Sequence, residues 1–259
     1  MLIAVTRPVS PTLADCELTH RPRVAIDVAR VEAEHEQYER TLRFLGATVV
    51  RAAYAPELPD AMFVEDTAIV LDDVAIITRP GAPSRVPEIE SMDDVLRDYM
   101  PTVRIQSPGT IDGGDVLRVG RTLYVGLSSR TNCDGAAQLT AIARKHGYEV
   151  VPMTVTGCLH LKSAVSRVAE RTLLINDGFV RRDAFGSVEM LAVDAAEPDG
   201  ANALLVGESV MYASHFPRTA ERLDRAGIEV VRVPCAEIAK AEGGLTCCSV
   251  LFESNGKMT

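Results

Sequence analysis

Apolar residues recur along the chain at two periods that alternate from one end to the other. Over residues 28–45, Val31, Tyr38, Leu42 and Leu45 form one stripe at helical spacing, with Asp27 ahead and Gly46 behind as start and stop signals. Residues 87–99 repeat the pattern with Ile89, Met92, Leu96 and Tyr99, opening at Pro87 and closing before Pro101. Further helices are predicted over 133–146, between Asn132 and Gly147, and over about 217–226, from Pro217 to Gly227. Each helix is followed by three short apolar runs bounded by turn residues, the signature of strands. After the first helix these read "ATVVRAA", "FVEDTAIVL" and "VAIITRP"; after the second, "TVRIQ", "IDGGDVLRVG" and "TLYVGLS"; after the third, "YEVVPM", "LHLKSAVSRV" and "RTLLIND". A fourth unit is blurred around "VEMLAVD", "ANALLVG" and "SVMYAS". The fifth reads "IEVVRVP" and "GLTCCSVLFE", and is complete only if "MLIAVTRP" from the N-terminus joins it.

The second run of each unit carries a polar residue among apolar ones: Asp66, Asp112, His160, Asn202 and Cys247. Successive members lie 46, 48, 42 and 45 residues apart. A period of that length marks a repeated structural unit. Five units of one helix and about three strands could close around an axis, bringing these positions to one central cavity. The expected fold class is therefore α/β with pseudo-fivefold symmetry. The chain has no long Gly/Ser linker, so one domain over 1–259 is expected, with "ESNGKMT" as a polar, frayed tail.

Composition narrows the partners. The 259 residues carry 27 basic and 36 acidic side chains, a net charge of −9. That argues against nucleic acid or an anionic membrane as the main partner, but not against a small cation. No segment approaches the length of a membrane span. "MLIAVTRPVS" breaks its apolar run at Arg7, too early for a secretory signal. The six cysteines show no CxxC pair, so reduced thiols and a cytoplasmic location are expected. Homodimerisation stays open.

Singly, the polar residues are unremarkable. Asp66 could pair with one of the chain's own arginines, "IDGGDVL" could be a turn, His160 an interior histidine, and either cysteine a small hydrophobe. Together they describe a cage. Two acids in apolar runs call for a cation, because an unpaired buried carboxylate is costly. A planar guanidinium suits paired carboxylates, and a thiol beside a histidine suits attack on an electrophilic carbon. Read as strand, "LTCCSVL" sends Cys247 and Cys248 to opposite faces, and the repeat spacing does not choose between them.

In order along nearly the whole chain, "FVEDTAIV", "ITRPGAPSR", "DGGDVL", "LSSRTN", "LHLKS" and "LTCCSVL" resemble the dimethylarginine dimethylaminohydrolase family of the guanidine-modifying (pentein) superfamily. The resemblance implies a five-bladed ββαβ propeller with a central active-site cavity. It implies hydrolysis of Nω-methylated arginines to citrulline and an amine through a covalent thiouronium, without a cofactor or a metal. Cys247 matches the nucleophile, His160 the general acid/base, and Asp112 the carboxylate that binds the guanidinium and supports the histidine. Some bacterial relatives carry glutamate where this chain has Asp112. Asp66 and Glu65 match acids at the substrate, Arg85 and Arg130 residues that hold its carboxylate, and Asp60 and the Leu18 backbone the groups around its ammonium; Ala241 is named with them as substrate-binding. "SPTLADCELTH", which contains Leu18, departs from the family's N-terminal loop. Three rivals follow: a deiminase-type hydrolase acting on unmethylated arginine, a zinc protein using Cys247, His160 and an aspartate, and a non-catalytic sensor of arginine analogues, which has no evident use for both a thiol and a histidine. The zinc reading lacks the usual short-range ligand pairs.

Overall fold

A computed structural model of the chain describes residues 1–257. Fifteen strands form five three-stranded sheets, arranged as the blades of a propeller. The first blade joins both chain ends: β15 (Val250–Glu253) pairs antiparallel with β1 (Leu2–Thr6), which pairs in parallel with β2 (Thr48–Arg51) after helix α1 (Val28–Phe44). The second contains β3 (Ala68–Val70), β4 (Ala75–Ile77), α2 (Ile89–Arg97) and β5 (Thr102–Arg104). The third contains β6 (Val116–Val119), β7 (Thr122–Leu127), α3 (Cys133–Lys145) and β8 (Glu149–Thr154). After a single helical turn, α4 (Leu161–Ala164), the fourth blade contains β9 (Val165–Ala169), β10 (Thr172–Ile175) and β11 (Glu189–Ala192). The fifth contains β12 (Ala203–Val206), β13 (Ser209–Ala213), α5 (Pro217–Arg225) and β14 (Glu229–Val233).

The helix boundaries follow local chemistry. The Asp27 carboxylate accepts from Arg30 N at 3.2 Å and Asn132 Oδ1 from Gly135 N at 2.8 Å, capping α1 and α3. Gly46 and Gly147, with φ of 88° and 76°, turn the chain out of these helices. The blurred fourth unit has a physical basis: only a 3-10 turn, Arg182–Phe185, stands where the other blades have a helix. The second helix is likewise shorter than expected, because Pro83–Glu88 forms a 3-10 segment ahead of α2.

Middle strands such as β10 and β13 are buried along their whole length, whereas the third strands, such as β2, leave residues exposed. The apolar core divides into five clusters, one at each seam between neighbouring blades. Ala4 of β1, for example, packs in one cluster with Met211 of β13, while Ile3 joins Ala75 and Met92 in the next. Each blade thus buries its two faces against different neighbours, which favours closure of the ring. The Met1 ammonium donates to Ser254 O at 2.7 Å where the ends meet. Of the expected tail, Glu253 belongs to β15 and Lys257 pairs with Asp98, while Met258 and Thr259 lie outside the described residues. Among the described residues no helix is long and apolar enough to cross a membrane.

The polar residues of the repeat do not sit in strands, as the sequence suggested. Asp66 and Cys247 lie in 3-10 turns (Val64–Thr67 and Thr246–Cys248), Asp112 and His160 cap the turns Gly113–Asp115 and α4, and Asn202 directly precedes β12. Each turn tightens the chain just before the first strand of its blade. Strand alternation therefore cannot separate Cys247 from Cys248. They diverge around a 3-10 turn instead: Cys248 is fully buried in the core, and Cys247 remains half-buried beside the axis.

Candidate active site

The turns before β3, β6 and β9 bring two carboxylates to one imidazole. His160 Nε2 lies 3.0 Å from Asp112 Oδ2, and Nδ1 lies 3.9 Å from Asp66 Oδ1. Asp112 Oδ1 accepts from Gly81 N at 2.8 Å, and Asp66 Oδ1 from Gly114 N at 2.9 Å. The glycines of "DGGD" make this approach feasible. A Cβ on Gly114 would stand 2.7 Å from His160 Nδ1 and 2.8 Å from Asp66 Oδ1, and one on Gly113 would stand 2.0 Å from Glu65 O. Asp115, the second acid of that motif, accepts from Leu161 N, Ser128 Oγ and Thr131 Oγ1, tying the His160 turn to the loop that carries Arg130.

Burial alone would lower the His160 imidazole. The Asp66 charge, the hydrogen bond to Asp112 and the Asp115 charge override it and push it up to about 9. Burial would likewise raise Asp66, but the neighbouring imidazolium and Arg85 hold it below the usual carboxylate range. Cys247 is pushed far up by burial, with Glu65 and Asp66 adding to the effect. At neutral pH the unliganded chamber therefore holds a neutral thiol and an imidazolium. Gly244 N donates to Cys247 Sγ at 3.3 Å.

A chamber of about 20 Å³ is lined by Asp60, Asp66, Arg85, Arg130, His160, Ala241 and Cys247, seven of the ten residues named from sequence. Glu17, Phe63, Leu159, Glu242 and Gly243 complete it in ways the sequence did not signal, while Asp112 stands outside the lining, against His160. Glu65 is absent from the lining: its carboxylate pairs with Lys162 Nζ at 2.6 Å and accepts from Thr246 Oγ1 at 2.8 Å, behind Cys247. Leu18 does not line the chamber either; its side chain packs against the core. Asp60 accepts from Glu17 N at 3.1 Å, and burial raises its carboxyl.

The two arginines differ. Arg85 is almost wholly engaged, with Asp66 at 2.6 Å, Glu88 at 2.9 Å and the Phe63 carbonyl at 2.9 Å, leaving one Nη1 hydrogen for a ligand. Arg130 is 7% exposed and donates to Thr19 Oγ1 at 3.2 Å; among the described residues no carboxylate pairs with it. A buried guanidinium without a counter-ion is the natural seat for a ligand carboxylate. Asp66, Asp112 and His160 also lie within ligand distance of one metal ion, a set that excludes Cys247, unlike the zinc rival considered from sequence.

Residues 17–23 form a strap over the chamber. Its amides at Thr19 and His20 donate to the Glu242 carboxylate at 2.9 and 2.6 Å, and the Arg21 amide joins them. Glu242 is the one non-glycine residue of positive φ, 57°, among the described residues, so its backbone is strained to aim this carboxylate. The chamber beneath is narrower than an amino acid. The sequence signal was faint: a lone glutamate before Gly243 and Gly244. Glu242→Gln is expected to raise KM about tenfold with a smaller effect on kcat, since hydrogen bonds to a charged acceptor contribute about 1.5–3 kcal/mol each. Steady-state kinetics, with faster amide exchange at Thr19–Arg21, check this.

No protein-family model matches the chain. A Streptomyces coelicolor dimethylarginine dimethylaminohydrolase is 37% identical over 249 residues, covering 95% of each chain. The Pseudomonas aeruginosa enzyme, solved as a cysteine-to-serine variant with citrulline, superposes with a TM-score of 0.92 at 33% identity, over 96% of this chain and 98% of that one. A dimethylarginine dimethylaminohydrolase solved as a histidine-to-glycine variant, an adduct with S-methyl-L-thiocitrulline, gives a TM-score of 0.93 at 32% identity, over 97% of this chain and all of the other. By sequence along nearly its whole length, and by the five-bladed fold, this chain belongs to the dimethylarginine dimethylaminohydrolase family.

Proposed function

We propose that the protein hydrolyses Nω-methylated arginines to citrulline and methylamine or dimethylamine, as one catalytic domain in the cytoplasm. The juxtaposition of Cys247, His160 and Asp66 in one chamber, with Asp112 bonded to His160 from outside its lining, carries this reading. The free state of all six cysteines supports the reducing location.

In the proposed reaction, Arg130 and the remaining Nη1 hydrogen of Arg85 hold the substrate's carboxylate, Asp60 with the strap meets its ammonium, and Ala241 lines the chamber beside it. Asp66 and Asp112 face the guanidinium. That cation favours loss of the Cys247 proton, which the isolated site resists. Cys247 Sγ bonds to the guanidinium carbon, the C–N bond to the methylated nitrogen breaks, and His160 gives that nitrogen its proton. The thiol's proton replaces it, so charge is conserved: guanidinium and thiol become thiouronium and neutral amine. The thiouronium cation then lowers His160 from its resting value, by like-charge repulsion, into the range of a general base. His160 takes a proton from water, the hydroxyl adds to the carbon, and the C–S bond breaks to give citrulline and the thiol.

Asymmetric dimethylarginine, monomethylarginine and arginine, assayed side by side, should yield citrulline from the first two with dimethylamine or methylamine. Ammonia release from arginine with no turnover of methylated substrate would instead make the protein a deiminase.

A further inference from the structure

A second cavity, of about 290 Å³, shares Leu159, Glu242, Gly243 and Cys247 with the reaction chamber. It runs from a rim of exposed His20, Arg21, Gly157 and Asp199 to a floor of buried Ala213, Cys235 and Leu245. Building on the reaction proposed above, we propose that this cavity is a side port: the amine leaves through it and the hydrolytic water arrives through it. The amino-acid half stays clamped under the strap meanwhile.

The reaction itself demands such a route. Between the two half-reactions the citrulline skeleton is bonded to Cys247 and its charged end fills the Asp60–Arg130 side of the chamber. The amine must nevertheless depart, or it would attack the thiouronium and restore the substrate. Water must then reach the same carbon. Cys247 borders both cavities, so a group expelled from the carbon on its sulfur has the side cavity directly beside it.

The walls suit passage better than retention. Asp199 pairs with Arg21 at 2.6 Å, and the Glu242 carboxylate is occupied by the strap amides. The Asn202 amide binds Lys162 O, Thr246 Oγ1 and Thr246 N. Burial lowers the His215 imidazole, so the wall there is neutral at physiological pH. Among the described residues no free carboxylate remains along the walls to trap an ammonium ion, and the free volume far exceeds that of the chamber.

Filling the port tests the proposal at two residues outside the chamber, Ala239 and Ser163. Ala239→Phe and Ser163→Phe are expected to slow alkylation of Cys247 by iodoacetamide at least about tenfold, read by peptide mass spectrometry with exposed Cys133 as the internal control. In turnover they should lower kcat and make a covalent adduct on Cys247 accumulate in acid-quenched samples, whereas a general structural defect would reduce adduct formation. Should the phenylalanine variants fail to fold, Ala239→Leu provides a milder filling with the same expected direction. Folded variants with wild-type Cys247 alkylation and no adduct accumulation would overturn the port. If wild-type protein forms no citrulline from any methylarginine, the proposed reaction fails, and the alkylation rates still decide whether the cavity is the way to Cys247.

Discussion

Replacing Cys247 by alanine is expected to abolish citrulline formation, by at least about 10⁴-fold in kcat, because removing a nucleophile takes away the whole covalent route. Binding should survive, since Arg130, Asp60 and Asp66 remain in the chamber and Asp112 remains against His160. Binding also gains from the lost sulfur in one respect: the cation no longer has to displace a thiol proton held by burial and by Glu65 and Asp66. Calorimetry with asymmetric dimethylarginine should therefore give a Kd near the wild-type KM, while mass spectrometry shows no adduct. Cys248→Ala is the control. That side chain is fully buried in the core and its thiol approaches only the Gly244 carbonyl, so the change should cost some stability and leave the chemistry largely intact. Turnover by the alanine variant at Cys247, or its loss only at Cys248, would reassign the nucleophile.

His160→Gln should lower kcat by about 10²–10⁴-fold, the usual worth of a positioned acid and base. The loss should depend on the leaving group. Dimethylamine is expelled only after protonation, whereas an analogue that releases a thiol needs far less help and should be much less affected. A structural defect would impair both alike. The same substitution should change the pH dependence of stability. His160 titrates at about 9 in the fold against about 6.5 in the unfolded chain, so its stabilising contribution is complete below pH 6.5 and disappears as pH rises through about 9. Thermal midpoints measured from pH 6 to pH 10 should show this loss in the wild type and a flatter profile in the variant. Identical profiles would show that the Asp66–His160–Asp112 cluster does not carry the proton assigned to it.

Much of this arrangement was legible in the chain because it rests on local chemistry. Helical periodicity, capping by Asp27 and Asn132, and short apolar runs between turns do not need distant partners to be recognised. The even spacing of Asp66, Asp112, His160, Asn202 and Cys247 foretold a shared cavity because a propeller places equivalent residues around one axis. Asp66, His160 and Cys247 line it, whereas Asp112 stands outside the lining against His160 and Asn202 borders the neighbouring cavity. The two readings of Asp66 also prove compatible: it pairs with the chain's own Arg85 and faces the cavity as well. Other features were hidden. That the polar residues stand in single helical turns cannot be read from runs whose composition is that of strands. The family resemblance selected Cys247, but the reason it differs from Cys248 is a 3-10 turn that alternation does not describe.

What the sequence determined by itself is the repeat, its five polar positions and the residue types able to bind a guanidinium and attack its carbon. Tertiary structure alone decided how those groups are charged and reached. Burial and juxtaposed carboxylates raise His160 to about 9, Glu65 turns away to Lys162, and Arg130 is left without a counter-ion while Arg85 is engaged by Asp66 and Glu88. The strap on Glu242 and the cavity beside Cys247 are equally products of the closed ring. Each depends on distances between residues from different blades, and electrostatic and steric forces act over those distances, whatever the separation along the chain.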